Sequence, residues 1–546
     1  TTPFIVKDAE PNTPPIASFY LWPEEGTVDT VFMFNANSSY DFEDPVESLL
    51  VRWDWESDSV WDTEYSVDQT AEHLYAAAGD YLVTLEVMDT GGLTDTAWGN
   101  LTVVASTALT PHDPIIIIGD TDFVPKNGVV RGAGTFDDPY VIAGWNITPT
   151  GGNGITVLGT TAYFTILDTQ ITGNIDTCMY GVYLDSVAHA TLRGLTISGF
   201  WMGIHAVETA DLTVTLCDVT WSSWGLFALR CGSIYVTENE ISHNIVGTGN
   251  HEGIMVQETD YAYIASNDLV DNWDGVFLYI VSFGWIHNNT MRDNGVGIQA
   301  LYSGCIVFGN SIASKVIGII LVDCPDTSIE SNSITTDPSV YDSYTGIEFE
   351  SCSHLSVSLN VIDSYHTGIR TSPSSYAYPD SDNVTISWNR ISYCDVVAMS
   401  AYYVLDLTVT ANTFMSSGTG VYVDSSAMRV KVYHNDFVDN SVQAQENLLC
   451  AGNEWDDGYP SGGNYWSDYG GVDSYSGVYQ DEPGSDGIGD TPYVLASGSQ
   501  DSYPLMEPFW FQPANAPPVA NFTVSPQTGT VDTVFVFDAS SSWDSE

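Results

Sequence analysis

The hydrophobic pattern of this chain repeats about every 22 residues between positions 154 and 453. In each repeat a Gly precedes an aliphatic residue, and apolar and polar positions then alternate, as around Ile254 and Val256 or Val276 and Leu278. Alternation with a period of two predicts β-strands, and so short a repeat predicts one solenoid coil per period. The repeating glycines are Gly154, Gly181, Gly203, Gly225, Gly253, Gly275, Gly297, Gly318, Gly346, Gly368 and Gly420.

A column of Asn accompanies these glycines, and in most repeats the Asn follows its Gly by 13 to 15 residues. Coils of a parallel β-helix stack about 4.8 Å apart. We therefore predict an Asn ladder in which each amide bonds to its neighbours, at about 1 kcal/mol net per bond. The column contains Asn239, Asn267, Asn289, Asn310, Asn332, Asn360, Asn389, Asn412, Asn435 and Asn453. The predicted fold class is all-β, with a right-handed parallel β-helix at its centre.

The first hundred residues carry short alternating runs separated by Gly and Asp turns, which predict a β-sandwich. The runs at 14–19 (PPIASF), 53–55 (WDW) and 79–93 (GDYLVTLEVMDTGGL) resemble the PKD family of immunoglobulin-like domains. We assign residues 14–104 to this PKD-like sandwich, after a lead-in over 1–13 and before a linker over 105–113. The resemblance departs at Glu56-Ser57-Asp58, where the family has a Gly-Asp-Gly turn.

A β-helix has open strand edges at both ends, which other strands could join unless they are covered. We assign the β-helix to residues 114–507, with an N-terminal cap over 114–150 and a C-terminal cap over 453–507. The coils and the closing motifs, GGNYWSDY and DGIGDTPY, resemble the NosD-type, carbohydrate-binding and sugar-hydrolase (CASH) β-helix proteins. This resemblance implies a surface protein of the kind common in archaea.

The last residues repeat the opening of the PKD-like segment at a constant offset of 503. After a linker over 508–516, residues 517–546 match about a third of a second PKD-like domain. A third of a β-sandwich cannot bury a core. We expect either that the chain continues as a tandem array or that strands of another chain complete the segment. Both alternatives predict a homo-oligomer or polymer joined through PKD segments.

The charge balance excludes some partners. Lys and Arg number 12 against 71 Asp and Glu, a formal net charge of −59. Nucleic acids and anionic membranes are bound by basic side chains, so neither is expected as a partner, and acidic polysaccharides are disfavoured. The acidity indicates either a salt-tolerant solvated surface or Ca²⁺ coordination. No stretch is long and apolar enough to span a bilayer.

Cysteines and glycosylation sequons indicate the compartment. The eight Cys have no metal-type spacing. Cys324 and Cys352 share one phase of adjacent coils, where they form either a disulfide or stacked buried thiols. Six sequons indicate an extracellular or cell-surface glycoprotein. They are Asn37, Asn100, Asn146, Asn288, Asn383 and Asn521.

Catalysis has to be weighed because the β-helix fold also hosts pectate lyases and polygalacturonases, and a fold alone does not decide function. Glycosidases use two carboxylates roughly 5 to 9 Å apart. Glu348 and Glu350 point outward on one predicted strand and are the candidate pair. The structural alternative is an ion pair between Glu348 and Arg370 of the next coil. The sequence favours a protein without catalysis, and the alternative is a polysaccharide lyase or glycoside hydrolase.

Two metals come into question. NosD proteins are tied to copper insertion, which needs clustered His, Met or Cys; here His is dispersed and Met isolated, so no copper site is expected. Ca²⁺ is the one cofactor that the sequence supports, and turn-forming Asp is the alternative at both places. The candidate trios are Asp481, Asp486 and Asp490 in the C-terminal cap, and Asp41, Asp44 and Asp89 in the PKD-like segment.

Residues two and four positions after each Gly point away from the coil interior. In successive coils many of them are apolar: Phe227, Leu229, Met255, Phe277, Tyr279, Leu301, Ile320 and Val322. A band of this extent exceeds what soluble monomers expose. We expect another domain or subunit to cover it.

These observations predict an extracellular structural protein, the repeat unit of a filament, sheath or surface layer that associates through its PKD segments and β-helix face. The alternative is a carbohydrate-binding or polysaccharide-degrading surface protein. Its glycans would contact aromatic side chains of the inserted loops, namely Tyr341, Tyr344, Tyr376 and Tyr378.

Overall fold

The computed structural model describes residues 12–23, 25–28, 30–104, 109–245, 251–336, 344–372, 381–447, 452–495, 498–509, 523–525 and 536–538. The chain divides into two compact units, Thr1–Ala108 and Leu109–Glu546. Within the described ranges every regular element is a β-strand or a short 3-10 helix, which confirms the predicted all-β class.

The first unit is a β-sandwich of a three-stranded and a four-stranded sheet. The three-stranded sheet is antiparallel and contains Tyr20–Trp22, Val31–Asn35 and Thr70–Leu74, with the middle strand between the other two. The four-stranded sheet contains Glu25–Thr27, Thr94–Val104, Gly79–Met88 and Leu50–Asp54, in that spatial order. A 3-10 helix covers Val46–Ser48.

Large aromatic side chains fill the core of this sandwich. Phe34 and Trp53 are almost fully buried and lie 5.4 Å apart between ring centroids. The turn at 56–58, where the PKD family has glycines, obtains its left-handed residues from Ser57 and Ser59, with φ of 50° and 71°. The Asp54 carboxylate accepts the N–H groups of Asp58 and Ser59, and these bonds hold the turn without glycine.

The second unit is a parallel solenoid whose coils each contribute strands to three faces. The first face carries the Gly-aliphatic strands. These are Ile115–Ile118, Ile155–Leu167, Tyr180–Arg193, Met202–Val207, Trp224–Leu229, Glu252–Gln257, Asp274–Tyr279, Thr290–Leu301, Ser311–Val322, Thr345–Glu350, Thr367–Thr371, Val397–Ala401, Thr419–Val423 and Val442–Glu446. Four of these strands are long enough to continue onto a neighbouring face: Ile155–Leu167, Tyr180–Arg193, Thr290–Leu301 and Ser311–Val322.

The second face follows the first along each coil. Its strands are Tyr140–Ala143, Asp211–Thr215, Ser233–Thr237, Tyr261–Ala265, Phe283–His287, Cys305–Phe308, Ser328–Glu330, Ser356–Ser358, Ser381–Ser387, Val404–Thr410 and Met428–Tyr433, together with the ends of two long strands from the first face. The third face holds Thr110–His112, Trp145–Ile147, Gln170–Thr172, Thr196–Ser198, Asp218–Thr220, Glu240–Ser242, Asp268–Val270, Ser333–Thr336, Val361–Asp363, Arg390–Ser392, Thr413–Met415, Asp436–Val438 and Tyr465–Trp466.

Each coil pairs in register with the next, so equivalent side chains stack. Ile254 lies opposite Val276, and both are fully buried in the interior. Aliphatic side chains from all three faces form one continuous core along the solenoid. The predicted solenoid is therefore confirmed. Its core consists of the residue that follows each repeating Gly and of the residues that alternate in phase with it.

The predicted Asn ladder forms, with one change at its end. Asn310 is typical: its amide donates to the carbonyls of Ile286 and Phe308 and to the side chain of Asn332, and its own oxygen accepts from Asn289. The last rung is wrong in the prediction, because Asn435 bonds to Asn464 and not to Asn453. Insertion of the 453–463 loop shifts the rung along the chain. A second, shorter ladder of Asn244, Asn272 and Asn294 was not predicted.

The ends of the solenoid differ from the predicted caps. Ile115–Ile118 and Tyr140–Ala143 already pair in parallel with the next coil, and Thr110–His112, placed in the linker by the prediction, pairs with Trp145–Ile147. Val129–Arg131 adds an antiparallel strand, and 3-10 helices cover Asp120–Asp122 and Pro125–Asn127. The 114–150 segment therefore contributes the strands of a first coil, with the 3-10 helices and the antiparallel strand between them.

Beyond the last coil the chain forms two short hairpins, Tyr475–Ser476 with Glu482–Pro483 and Tyr493–Val494 with Gln500–Asp501. The buried Asp501 carboxylate accepts from the Asn464 N–H and from the Trp466 indole, so it joins this segment to the final rung.

A last hairpin pairs Thr523–Ser525 with Val536–Asp538. Its register, with Thr523 opposite Asp538, equals that of the first hairpin, Tyr20 opposite Asn35, shifted by the offset of 503.

Candidate functional site

A patch of aromatic side chains interrupts the second face of the solenoid. One outward column of this face contains mostly small hydroxyl residues on both sides of the patch: Thr165, Thr191 and Thr213 before it, and Ser328, Ser356 and Thr385 after it. Between them the same column and its two neighbours present what we name the aromatic platform. Its members are Tyr235, Tyr261, Tyr263, Phe283, Trp285 and His287.

The register of three successive coils builds the platform. Tyr235, Tyr263 and Trp285 lie opposite one another in adjacent strands, with ring centroids 6.0 Å apart at each step. Tyr261 and Phe283 form a second row, stacked at 6.0 Å and nearly parallel. Tyr235, Phe283 and Trp285 are each about 40% exposed, so the rings remain open on one side.

Two rings of the platform, Tyr261 and His287, carry no charge near neutral pH. Burial raises the pKa of the Tyr261 hydroxyl and lowers the pKa of the His287 imidazole, so neither ring becomes charged near neutral pH. The His287 Nε2 atom is buried without a hydrogen-bond partner. A surface of neutral rings with polar tips can stack on a flat partner and still exchange hydrogen bonds at its edges.

A second unusual feature lies on the first face, where Glu252 and Asp274 lie opposite each other in adjacent coils. Both carboxyls are about 98–99% buried, and Glu252 Oε2 and Asp274 Oδ1 have no hydrogen-bond partner. Burial raises the pKa of Glu252 to about 7, and burial together with the Glu252 charge raises the pKa of Asp274 to about 8. The pair therefore retains protons at neutral pH.

The predicted catalytic pair is placed outward on the first face, as expected from its phase. Glu348 accepts a hydrogen bond from the Ser372 hydroxyl at 2.5 Å. Glu348 lies opposite Arg370 in the register, yet the two side chains are not among the ion pairs of the described residues, so the predicted salt bridge is wrong. The Ser372 bond orients the Glu348 carboxylate instead.

Asp carboxylates of both predicted calcium trios accept backbone N–H groups, and the calcium sites stay a prediction. Asp41 accepts the N–H groups of Glu43 and Asp44, and Asp89 accepts the N–H of Leu93. In the cap, Asp490 accepts the N–H groups of Ser474 and Tyr475, and Asp486 accepts that of Ile488, whereas the Asp481 side chain is exposed.

A different acidic group is the most compact one. In the described part of the chain, three metal-type ligand atoms come within 4.8 Å of one another only at Asp54, Glu56 and Asp62. Asp54 and Asp62 already accept backbone N–H groups, so this group is used by the turn after Trp55.

Cys324 and Cys352 are fully buried free thiols stacked in adjacent coils. Each lies within bonding distance of a backbone carbonyl: Cys324 donates to Ala300 at 3.2 Å, and Cys352 donates to Glu350 at 3.3 Å. This arrangement corresponds to the stacked-thiol alternative.

The sequons Asn37, Asn100, Asn288 and Asn383 are exposed and Asn146 is half-buried, whereas Asn521 lies outside the described residues. Of the loop aromatics predicted to contact glycans, Tyr344 is 54% exposed, and Tyr341, Tyr376 and Tyr378 lie outside the described residues.

The predicted apolar band is less bare than expected. Met255 is 8% exposed, and the other seven members are half-buried: Phe227, Leu229, Phe277, Tyr279, Leu301, Ile320 and Val322. Neighbouring side chains cover part of them, as Trp224 does for Phe227 at 5.1 Å between ring centroids. The contact with another domain or subunit stays a prediction.

Comparison with known families agrees with this architecture. Residues 27–101 match the PKD domain, residues 180–317 and 224–374 match the right-handed β-helix region, and residues 304–471 match the family described as periplasmic copper-binding protein (NosD). The chain therefore contains a NosD-type right-handed β-helix and a PKD domain. These domains together indicate an extracellular protein. In the described residues no helix is long and apolar enough to cross a membrane.

Solved structures give fold likenesses of low global similarity. A structure from work on carbohydrate-binding modules of the β-sandwich superfamily is 27% identical, with a TM-score of 0.16; the match covers 18% of this chain and 38% of that structure. The PKD1 domain of Vibrio anguillarum Epp is 24% identical over 17% of this chain and 99% of its own, with a TM-score of 0.14. The periplasmic alginate epimerase AlgG is 16% identical over 62% and 84%, with a TM-score of 0.35. No curated protein matches the chain.

The copper that the NosD description implies does not fit the residues of the matched segment. Copper sites in proteins combine His, Met and Cys ligands. In this segment His354 and His366 each face a single Asp at 3.5 Å, and His434 contacts the Ser461 carbonyl at 2.8 Å. The described Cys are buried within the coils. In the described part of the matched segment, no three His, Cys, Asp or Glu side chains bring their ligand atoms together.

Proposed function

We propose that this protein is an extracellular glycan-binding protein that holds a neutral polysaccharide on the aromatic platform. The observation that carries the proposal is the patch itself: six aromatic side chains on three successive coils, centred on a column that elsewhere carries mostly Ser and Thr. A β-helix needs no aromatic residue in the central column, since other coils fold with Thr213 or Ser328 at that position.

The chemistry of the platform suits sugar rings. The face of an aromatic ring is electron-rich, so it attracts the C–H groups on the apolar face of a pyranose. The Tyr hydroxyls and the Trp285 indole can bond to sugar hydroxyls at the edges. The platform contains no Lys or Arg, and the chain carries a net charge of −59, so an anionic polysaccharide would be repelled.

Substitution of the platform tests the proposal. Trp285→Ala and Tyr263→Ala should each weaken binding to a neutral polysaccharide by about tenfold, because each removes one stacking partner. Trp201→Ala is the matched control, since Trp201 is 41% exposed on the solenoid outside the platform. Affinity electrophoresis in gels containing β-glucan, xylan or mannan provides the measurement. Equal retardation of wild type and both platform variants would contradict the proposal.

The same proteins should be assayed for release of reducing sugar, because a hydrolase is the catalytic alternative. We expect no release from the neutral polysaccharides. If sugar is released, Glu348→Gln and Glu350→Gln test the predicted carboxylate pair, with loss of turnover as the result that assigns catalysis to them.

A second candidate function is structural: a unit of a filament, sheath or surface layer joined through PKD segments. The repeated hairpin supports it, because Thr523–Ser525 and Val536–Asp538 pair in the register of the first PKD hairpin. Sedimentation velocity of the chain with and without residues 508–546 tests the idea. If this segment mediates assembly, the full chain sediments as an oligomer and the shortened chain as a monomer. The same oligomeric state for both chains would exclude assembly through this segment.

A further inference from the structure

We propose that the open face of the three-stranded sheet in the PKD domain is a separate binding site, which takes a short neutral glycan against Tyr20 and Trp22. The site lies wholly within the first unit. It does not depend on the aromatic platform of the solenoid.

The face is unusually apolar for an uncovered sheet. Tyr20 is 66% exposed, Val31 49%, Met33 50% and Leu74 52%, and Trp22 is half-buried beside them. These side chains belong to one face of the sheet because they alternate with buried residues of the sandwich core.

A groove of about 560 Å³ crosses this face. Tyr20, Trp22 and Met33 line its apolar part, and the polar side chains of Asn35, Asp68, Thr70 and Glu72 surround them. Its volume falls within the range of small-ligand sites, which is about 300–1,000 Å³. Aromatic rings beside amide, hydroxyl and carboxylate groups form the combination that holds a sugar by stacking and by hydrogen bonds to its hydroxyls.

The repeated hairpin near the end of the sequence shows which residues can replace those of the PKD face. The last hairpin repeats the first at an offset of 503 and in the same register. The repeat retains the apolar residues that face the core in the first domain: Leu21 corresponds to Val524, Phe32 to Phe535 and Phe34 to Phe537.

The outward positions change instead. Tyr20 corresponds to Thr523, Trp22 to Ser525, Met33 to Val536 and Asn35 to Asp538. The hairpin thus pairs in the same way with Thr and Ser at the two aromatic positions. Strand pairing does not require Tyr20 or Trp22, and we infer that they serve a ligand.

The charge of the groove distinguishes between a neutral glycan, an anionic ligand and a second copy of this chain. Asp68 and Glu72 border the groove, and none of the lining residues is Lys or Arg. Hydrogen bonds from Thr70 lower the pKa of Asp68, so this carboxylate remains ionised. A second copy of the same face would bring the same carboxylates together, which opposes self-association, and an anionic ligand would be repelled. A neutral glycan meets neither obstacle.

The test replaces the two aromatics with the residues of the repeat. Tyr20→Thr combined with Trp22→Ser is introduced into the full chain and into a Trp285→Ala chain, so that binding at the PKD face is read with and without the platform. Isothermal titration with cellohexaose, mannohexaose and chitohexaose should show a Kd at least about tenfold higher for the double substitution in both backgrounds. The melting temperature should stay close to that of the parent.

Trp98→Ala is the matched control, because Trp98 is 64% exposed on the other sheet of the same domain; it should leave the affinity unchanged. An unchanged affinity in the double variant would overturn the proposal. A change in sedimenting mass without a change in glycan affinity would also overturn it, and would identify the face as a protein contact. Loss of all glycan binding in Trp285→Ala alone would likewise overturn the proposal, because the PKD face would then hold no glycan by itself.

Discussion

At the scale of single residues, the carboxyls of Glu252 and Asp274 couple stability to pH. In the unfolded chain both titrate near pH 4; in the folded protein burial raises their pKa values to about 7 and about 8. Between these limits the folded state binds more protons than the unfolded state, so stability falls as the pH rises.

Replacing the pair with neutral isosteres should therefore flatten the pH dependence. Glu252→Gln with Asp274→Asn should stabilise the protein relative to wild type by several kcal/mol more at pH 8 than at pH 5. Urea unfolding at the two pH values provides the measurement. Glu258→Gln is the control, because Glu258 is exposed in the same coil. Asp218 and Asp501 also have raised pKa values, so the slope should shrink and not vanish. An unchanged slope would contradict this account.

The sequence shows where such residues lie but not how deeply they are buried. Glu252 and Asp274 directly precede their glycines, a position readable from the repeat. Glu348 was predicted as a candidate because it follows its Gly by two residues, and side chains at this position point outward. Burial at the position before the Gly depends on packing at the corner of each coil, which no local pattern reports. For this reason the sequence pattern points to Glu348 and gives no signal for Glu252.

At the scale of elements, the Asn ladder should stabilise the coils cooperatively. Asn310 has partners above and below it and bonds to two carbonyls, so Asn310→Ala removes these bonds and leaves the buried Asn289 N–H without its acceptor. The expected cost is roughly 2–4 kcal/mol. Asn294→Ala, at the end of the short ladder, is the matched variant and should cost less, because Asn294 donates one bond, to Leu269. Equal midpoints of urea unfolding for the two variants would argue against the ladder.

Elements with a strict period were the most predictable. The Gly and Asn columns predict the strand positions and nine rungs of the ladder. This works because residues one sequence period apart stack on one another in adjacent coils. The tenth rung failed where a loop broke the period, at Asn464. The platform was overlooked although its signal is visible: aromatic residues two apart, Tyr261 with Tyr263 and Phe283 with Trp285, recur one period apart. Only the register shows that they form one patch with Tyr235.

At the scale of the whole molecule, the two kinds of domain were recognisable from their patterns, because each is built from local alternation and turns. The functional surfaces were less accessible. Each consists of outward residues from several strands, and an outward position is tolerant of many side chains, so its residue types alone do not distinguish a binding surface from a solvated one. The internal repeat removes this ambiguity for Tyr20 and Trp22, since it shows which residues the strand pair can do without.

The net charge of −59 predicts a protein whose stability increases with salt. Six Lys or Arg side chains form ion pairs with carboxylates in the described part of the chain, so most of the acidic groups repel one another uncompensated. Raising NaCl from 0.1 to 1 M shortens the Debye length from about 10 to about 3 Å and should raise the melting temperature by several degrees.

Calorimetry at matched ionic strength separates the screening of surface charges from the binding of Ca²⁺ at a site. If the two Asp trios hold Ca²⁺, millimolar CaCl₂ will add a further increase that Asp490→Asn or Asp89→Asn reduces. If screening alone acts, CaCl₂ and NaCl of equal ionic strength will give the same melting temperature, and a melting temperature independent of both salts would show that the acidic surface is not under repulsive strain.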